Sequence, residues 1–184
     1  MAEIAAVALF DEFVDYVREN YSRARKIVEV GVGHRIDVAE RIKKALPLAE
    51  VLVTDNDESS LRQHSRGKVR TVADDVMAPR ASIYEDSLLI YSINPPVEIV
   101  DAMTQLARTV GADLVIVPRS DEQDAFHHDD WQKLIRNGRT VGWLRVFNRH
   151  SAQAKIVKGP TPSILKTRSQ AEVLPTPART NLTS

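Results

Sequence analysis

Two glycines spaced one apart, Gly31 and Gly33, follow a short run rich in β-branched residues and precede a helical pattern. Glu29 stands two positions before the first of them. A glycine turn between strand and helix admits a ligand close to the backbone, because glycine has no Cβ. It also sits where helix-start N–H groups lack intrahelical partners and can be aimed at that ligand. Further groups able to bind or orient a small molecule follow later strand-like runs: Asp55, the pair Asp74 and Asp75, and Asn94 ahead of Pro95 and Pro96. A carboxylate such as Glu29 is awkward beside a pyrophosphate and suits a ligand that carries positive charge.

These residues need elements to place them. Residues 3–21 read as an amphipathic helix, with Phe10, Phe13, Val14, Val17 and Tyr21 at three- and four-residue spacing. Residues 27–30 are nearly all apolar and read as a buried strand, Glu29 being the exception. Residues 36–46 are helical in pattern, and Pro47 punctuates them. Strands are expected at 50–55, 68–72, 87–92 and 113–117, with a short helix from Asp57. A longer helix runs from Pro96 to Val110 and is closed by Gly111. Residues 121–136 are predicted helical, Asn137-Gly138 is a turn, and 140–148 form a last strand. Alternating strands and helices imply an α/β, Rossmann-like fold: a mostly parallel sheet of about six strands with helices on both faces. Ligands bind at the carboxyl ends of such strands, and Gly31, Gly33, Asp55, Asp74, Asp75 and Asn94 all converge there.

Composition narrows the classes. The chain has 184 residues, of which 43% are hydrophobic and 27% charged, as in ordinary globular proteins. It has no cysteine, which excludes disulfides, thiolate nucleophiles and cysteine-bound zinc, and suits a cytoplasmic location. The apolar run at 4–10 has no Lys or Arg before it and makes a poor signal peptide. No run is long enough to span a membrane. Charge is uneven although the formal net charge is zero. Residues 151–184 hold five Lys or Arg against the single Glu172, together with four prolines and nine Ser or Thr. They read as a basic, disordered tail on a 1–150 domain. That tail is either a solubilising segment or a contact for nucleic acid or an acidic partner.

The nucleotide follows from the details. A dinucleotide fingerprint needs a third glycine where Ile36 stands. With Glu29 this weighs against a nicotinamide cofactor and towards S-adenosylmethionine, which carries an ammonium and a sulfonium and no phosphate. The Glu29-x-Gly31-x-Gly33 string resembles the first motif of class I S-adenosylmethionine-dependent methyltransferases. The resemblance implies that Asp55 holds the cofactor ribose and that Asp74 and Asp75 lie near its adenine. More narrowly, residues 28–39, 91–98 and 110–113 are similar to an uncharacterised archaeal family of small methyltransferase-like proteins, a likeness covering about residues 10–120. Asn94-Pro95-Pro96 resembles the Asn-Pro-Pro-aromatic motif of amino-group methyltransferases, whose amide accepts hydrogen bonds from the target amine. Asn94 is accordingly the candidate catalytic residue. Val97 replaces the aromatic ring that would stack on a base, and Arg35 replaces a further glycine. Arg35 either clamps an anionic group or faces solvent.

The leading expectation is therefore an S-adenosylmethionine-binding protein, with methyl transfer to an acceptor the sequence does not specify. Glu29, Gly31, Gly33, Asp55, Asp74 and Asp75 are its cofactor-binding set. The alternative is a non-catalytic Rossmann-like module that kept the fold and lost the chemistry. No metal site is expected: His127, His128, Asp129 and Asp130 read as a solvated helix face. His34 either touches ligand or is an exposed helix-start residue. The sequence specifies no oligomeric state.

Overall fold

The fold follows from where apolar runs are interrupted. In the computed structural model, which describes residues 2–64, 67–119, 121–126 and 130–148, each buried run becomes a strand and each interruption a turn at the sheet's edge. In chain order the elements are α1 (Ala2–Asn20), β1 (Lys26–Val30), α2 (Asp37–Ala45), β2 (Glu50–Asp55), α3 (Glu58–Arg62) and β3 (Arg70–Ala73). They continue with β4 (Ser87–Ile93), α4 (Val100–Val110), β5 (Asp113–Val117), β6 (Gln132–Arg136) and β7 (Arg139–Arg145). The seven strands form one sheet in the order β3-β2-β1-β4-β5-β7-β6. The first five in that order are parallel, and β7 runs antiparallel to both of its neighbours.

Side chains alternate across the strands, so each face of the sheet acquires its own core. Ile27, Val51, Val53, Leu89, Tyr91 and Val115 face α1 and α2, meeting Phe13, Val17, Val38 and Ile42. Val28, Val30, Leu52, Ile90, Leu114 and Ile116 face the opposite way, meeting Met103, Leu106, Tyr84 and the cluster of Phe126, Trp131 and Trp143. Gly111 closes α4 with φ at 73°, a left-handed conformation that glycine adopts without strain.

Two expectations need correction. Residues 121–136 are not a helix: among the described residues there is a 3-10 turn at Gln123–Phe126, and then β6. With β6 the sheet has seven strands, and it is the mostly parallel, Rossmann-like sheet of about six strands that the sequence implies. Asn137 and Gly138 both take positive φ, 48° and 75°, and close a two-residue hairpin that pairs β6 with β7. The hairpin pairing satisfies the backbone of the Lys133–Ile135 stretch, whose short apolar pattern suits either element. The third strand starts two residues later than expected, at Arg70. His127, His128 and Asp129, and the basic segment 151–184, lie outside the described residues.

At the amino end of β5, Asp113 is fully buried and joins three parts of the chain. One oxygen accepts from the Tyr21 phenol at 2.9 Å. The other accepts from the backbone N–H groups of Phe147 and Asn148 at 3.1 and 3.0 Å. The segment after β7 is thereby fixed beside the end of α1. An Arg136–Glu19 pair, with contacts of 2.8 and 3.0 Å, ties the hairpin to the same helix.

Candidate ligand-binding site

The carboxyl ends of β1, β2 and β3 open into a cleft of about 280 Å³ lined by Val30, Gly31, Gly33, Asp55, Asp74 and Asp75, among others. Gly31 and Gly33 take φ of 69° and 55°. No neighbour lies within 4 Å of a Cβ built on Gly33, so the turn needs glycine there for its backbone conformation rather than for space.

The turn's amides are less available than the sequence suggests. Gly31 and Val32 both donate to the Thr54 carbonyl, at 2.9 and 3.3 Å, carrying the sheet's hydrogen bonding past the end of β1. Arg35 N–H returns to the Val32 carbonyl at 3.1 Å. Gly33 N–H donates to Asp55 Oδ2 at 2.8 Å. Asp55 Oδ1 accepts from Asp57 N–H at 2.9 Å. The anion held by this glycine turn is thus the protein's own carboxylate. With both oxygens fixed, Asp55 is half-exposed and presents its remaining lone pairs to the cleft.

The other acids differ. Asp74 is buried, with Oδ1 on the Arg80 guanidinium at 2.9 Å and Oδ2 on the Tyr84 phenol at 2.9 Å. Arg80 also donates to the Ala73 carbonyl. Burial pushes the Tyr84 phenol above its ordinary range. Asp75 is exposed, and its Oδ1 accepts from Met77 N–H at 2.9 Å. Asp57 caps α3, accepting from the Ser59 and Ser60 hydroxyls at 2.6 Å each. Those hydroxyls, the Ser59 one first, and the Ser59 amide hold its carboxyl down at about 2.

Glu29 and Asn94 are not in this cleft. They line a smaller hollow of about 150 Å³ on the other side of the turn, with Val32, Arg35, Asp37, Val38 and Ile93. Glu29 is only 3% exposed, and its Oε2 accepts from the Tyr91 phenol at 2.7 Å. Burial is the main reason its carboxyl is pushed up to about 8. Asn94 adopts φ of 52°, and its N–H donates to the Val117 carbonyl at 2.7 Å. Pro96 and Ile99, just beyond it, line the larger cleft, so the Asn-Pro-Pro segment borders both spaces. Arg35 is exposed, pairs with Asp37 at 3.2 Å and lies over the Phe10 ring at 4.9 Å. His34 is exposed, its Nδ1 3.4 Å from the Ser60 hydroxyl. Val97 is 53% exposed. Among the described residues no group of three His, Asp or Glu side chains is placed to hold a metal. No helix among them is long and apolar enough to cross a membrane.

Sequence reasoning did not find Tyr91, Tyr84 or Arg80. Tyr91 is found only from register, since it is the direct β4 partner of Glu29 in the ladder.

The strand order, with one reversed strand next to the last position, and the strand-end cleft define a Rossmann-like fold. Solved structures share this fold. One is the antibiotic-resistance methyltransferase Kmr, with a TM-score of 0.51 and 16% identity over 67% of this chain and 87% of that one. Another is the fibrillarin/Nop5p complex, with a TM-score of 0.51 and 10% identity over 67% of this chain and 73% of that one. Residues 10–141 match the model of the uncharacterised protein family UPF0146, and the chain belongs to that family. A relative from Archaeoglobus fulgidus is 41% identical over 107 residues, 58% of this chain and 76% of the relative. One from Methanothermobacter thermautotrophicus is 32% identical over 132 residues, 72% of this chain and 91% of the relative. Both carry the same family name.

Proposed function

We propose that this protein binds S-adenosylmethionine across the glycine turn and positions it for methyl transfer to a small acceptor. The observation that carries the reading is the Gly33–Asp55 hydrogen bond of 2.8 Å. A dinucleotide pyrophosphate would compete with Asp55 for that amide and would face a fixed carboxylate. A ribose diol, in contrast, donates to a carboxylate so held. Asp55 is the ribose acceptor, Asp75 and the Arg80-braced Asp74 border the base, and Gly31 and Gly33 admit the cofactor's backbone-facing edge. Glu29 faces the cofactor ammonium from the smaller hollow. When bound, the cofactor supplies a methyl group on a sulfonium. The chain's share is to hold that group in line with an acceptor and exclude water. Asn94, bordering the second hollow beside Pro95 and Pro96, is the residue nearest to such an acceptor in this reading.

Calorimetry with S-adenosylhomocysteine tests the ligand, with a nicotinamide dinucleotide as the control. Heat with the first and none with the second supports the reading; no heat from S-adenosylhomocysteine at millimolar concentration removes it. A second reading, a binding module without catalysis, is favoured by the half-exposed Val97 in the place of an aromatic platform. Binding without methyl transfer to any pool of cellular acceptors would select it.

A further inference from the structure

The two ends of the sheet carry opposite charge, although the formal net charge of the chain is zero. At the carboxyl end stand the cleft acids Asp55 and Asp75 and, beyond β4 and β5, the exposed Glu98 and Asp121. Arg35 and Arg80 there are each paired with an acid, and Arg119 is exposed. The amino end is the reverse. The connections that lead into β1, β2, β3 and β5 set exposed cations there: Arg23 and Arg25, Lys44, Lys68, and Arg108. None of these is in an ion pair among the described residues. The acids interspersed with them are Glu50, paired with Arg70 at 2.9 Å, and the exposed Glu85 and Asp86 ahead of β4. Helix dipoles account for part of the pattern, since Lys44 and Arg108 lie in the last turns of α2 and α4. They do not account for Arg23, Arg25 and Lys68, which lie outside the helices. The connection bearing Arg25 is fixed, its carbonyl accepting from Glu50 N–H at 2.8 Å. Arg108 lies over the Phe147 ring at 5.4 Å, and Asp113 pins Phe147 and Asn148 to the same end. From there the sequence continues with Arg149, and residues 151–184 hold five Lys or Arg against the single Glu172. A cationic face is thus continuous along the chain with a cationic segment. No aromatic side chain among the described residues is exposed, so the face has nothing on which to stack a splayed base.

We propose that the amino end of the sheet is a docking face for double-helical nucleic acid, bound through its phosphates and without regard to sequence. A duplex carries about one negative charge per 1.7 Å of its axis, and its phosphates are reached without unstacking a base. Arg23, Arg25, Lys44, Lys68 and Arg108 neutralise those phosphates, and the cations after Asn148 add to the same attraction. The acids of the carboxyl end are repelled by the same polyanion. The protein therefore docks with both hollows turned away from the duplex and open to small molecules. This orientation holds whatever ligand the hollows take.

The test is fluorescence anisotropy of a labelled DNA duplex of about 20 base pairs, titrated with the full chain at salt between about 50 and 200 mM. About five phosphate contacts give a slope of about −4.5 in log affinity against log salt, a loss of about 500-fold over that range. Cations after Asn148 steepen it further. The triple variant Arg23→Gln, Arg25→Gln, Lys68→Gln should make the slope shallower by about 2.7, and Lys68→Gln alone by about 0.9. Arg23→Lys, Arg25→Lys and Lys68→Arg together should keep the parent slope. All three side chains are exposed, so the melting temperature should not move. Hydrogen exchange with and without duplex should show protection at residues 22–26 and 67–70 and none at 55–57 or 96–99. No anisotropy change with about 100 µM protein at about 50 mM salt overturns the proposal. So does an unchanged slope in the triple variant, since the segment after Asn148 would then carry the binding alone. Protection at the carboxyl end overturns it as well. Tighter binding of a single strand or of phosphatidylglycerol vesicles than of the duplex does the same, as does salt-sensitive self-association that the duplex fails to displace.

Discussion

In the larger cleft, Asp55 keeps both oxygens on backbone N–H groups and stays half-exposed to solvent. Across the glycine turn, Glu29 is almost fully buried, has a phenol for a partner, and has its carboxyl pushed up to about 8. Both acids belong to neighbouring parallel strands and both border space at the carboxyl edge of the sheet. What separates them is how far along its strand each one sits. Asp55 closes β2, where the backbone turns away and amides are available. Glu29 lies one residue inside the end of β1, where its side chain must enter the core packed by α1 and α2. One site presents a carboxyl held by backbone amides and open to the cleft; the other holds its carboxyl against a phenol, where burial favours the protonated form.

Several substitutions would break or sharpen that contrast. The largest effect is expected from Gly33→Val. A β-branched residue at φ of 55° is strained and pulls the N–H away from Asp55. S-adenosylhomocysteine affinity should fall by roughly 100-fold, about 3 kcal/mol, in a titration of folded protein. Asp55→Asn comes next. It keeps the shape, loses the charge on a ribose hydrogen bond, and should weaken binding by about 2 kcal/mol. Retained affinity there would mean that the cleft does not hold a diol.

Glu29→Gln should act on stability as well as on ligand binding, and its stability effect is the one that depends on pH. A carboxyl raised in the folded state holds its proton more tightly than in the unfolded chain. Its stabilising contribution is therefore complete below the ordinary carboxyl range and is lost as pH climbs towards about 8. Gln should raise the melting temperature by about 4 °C near pH 8.5 and leave it nearly unchanged near pH 5. An equal shift at both pH values would show that Glu29 does not titrate there. The smallest effect is expected from Val97→Ala, which trims an exposed side chain and should change both stability and ligand affinity by less than about 0.5 kcal/mol. A tenfold loss of affinity would make that residue part of the binding surface after all.

Much of this molecule can be read from the chain alone, and the reasons are physical. Each parallel strand is a run of apolar residues stopped by a glycine, an acid or a proline, so strands β1, β2, β4 and β5 and the edge they share follow from pattern. The β6–β7 hairpin does not, because Gln132–Arg136 is too short and too mixed to distinguish strand from helix before its partner is known. That Asp55, Asp74 and Asp75 gather at the strand ends also follows from pattern, whereas their hydrogen-bond partners do not. Gly33 with Asp55, and Glu29 with Tyr91, are separated by 22 and 62 residues, and only the sheet's register brings them together. Sequence spacing likewise placed Glu29 and Asn94 at the same edge as Asp55, but gave no sign that the glycine turn partitions that edge into two spaces.

The Asp113 junction has a practical consequence. It pins Phe147 and Asn148 at the amino end of β5, while both hollows lie at the carboxyl ends of the strands. Asn148 therefore lies at the pole opposite both hollows. A fluorophore, a surface tether or a fused reporter linked at this end of the described chain is anchored away from the edge where the two hollows open. This makes that position the natural handle for immobilising the domain while ligands are presented to its other side.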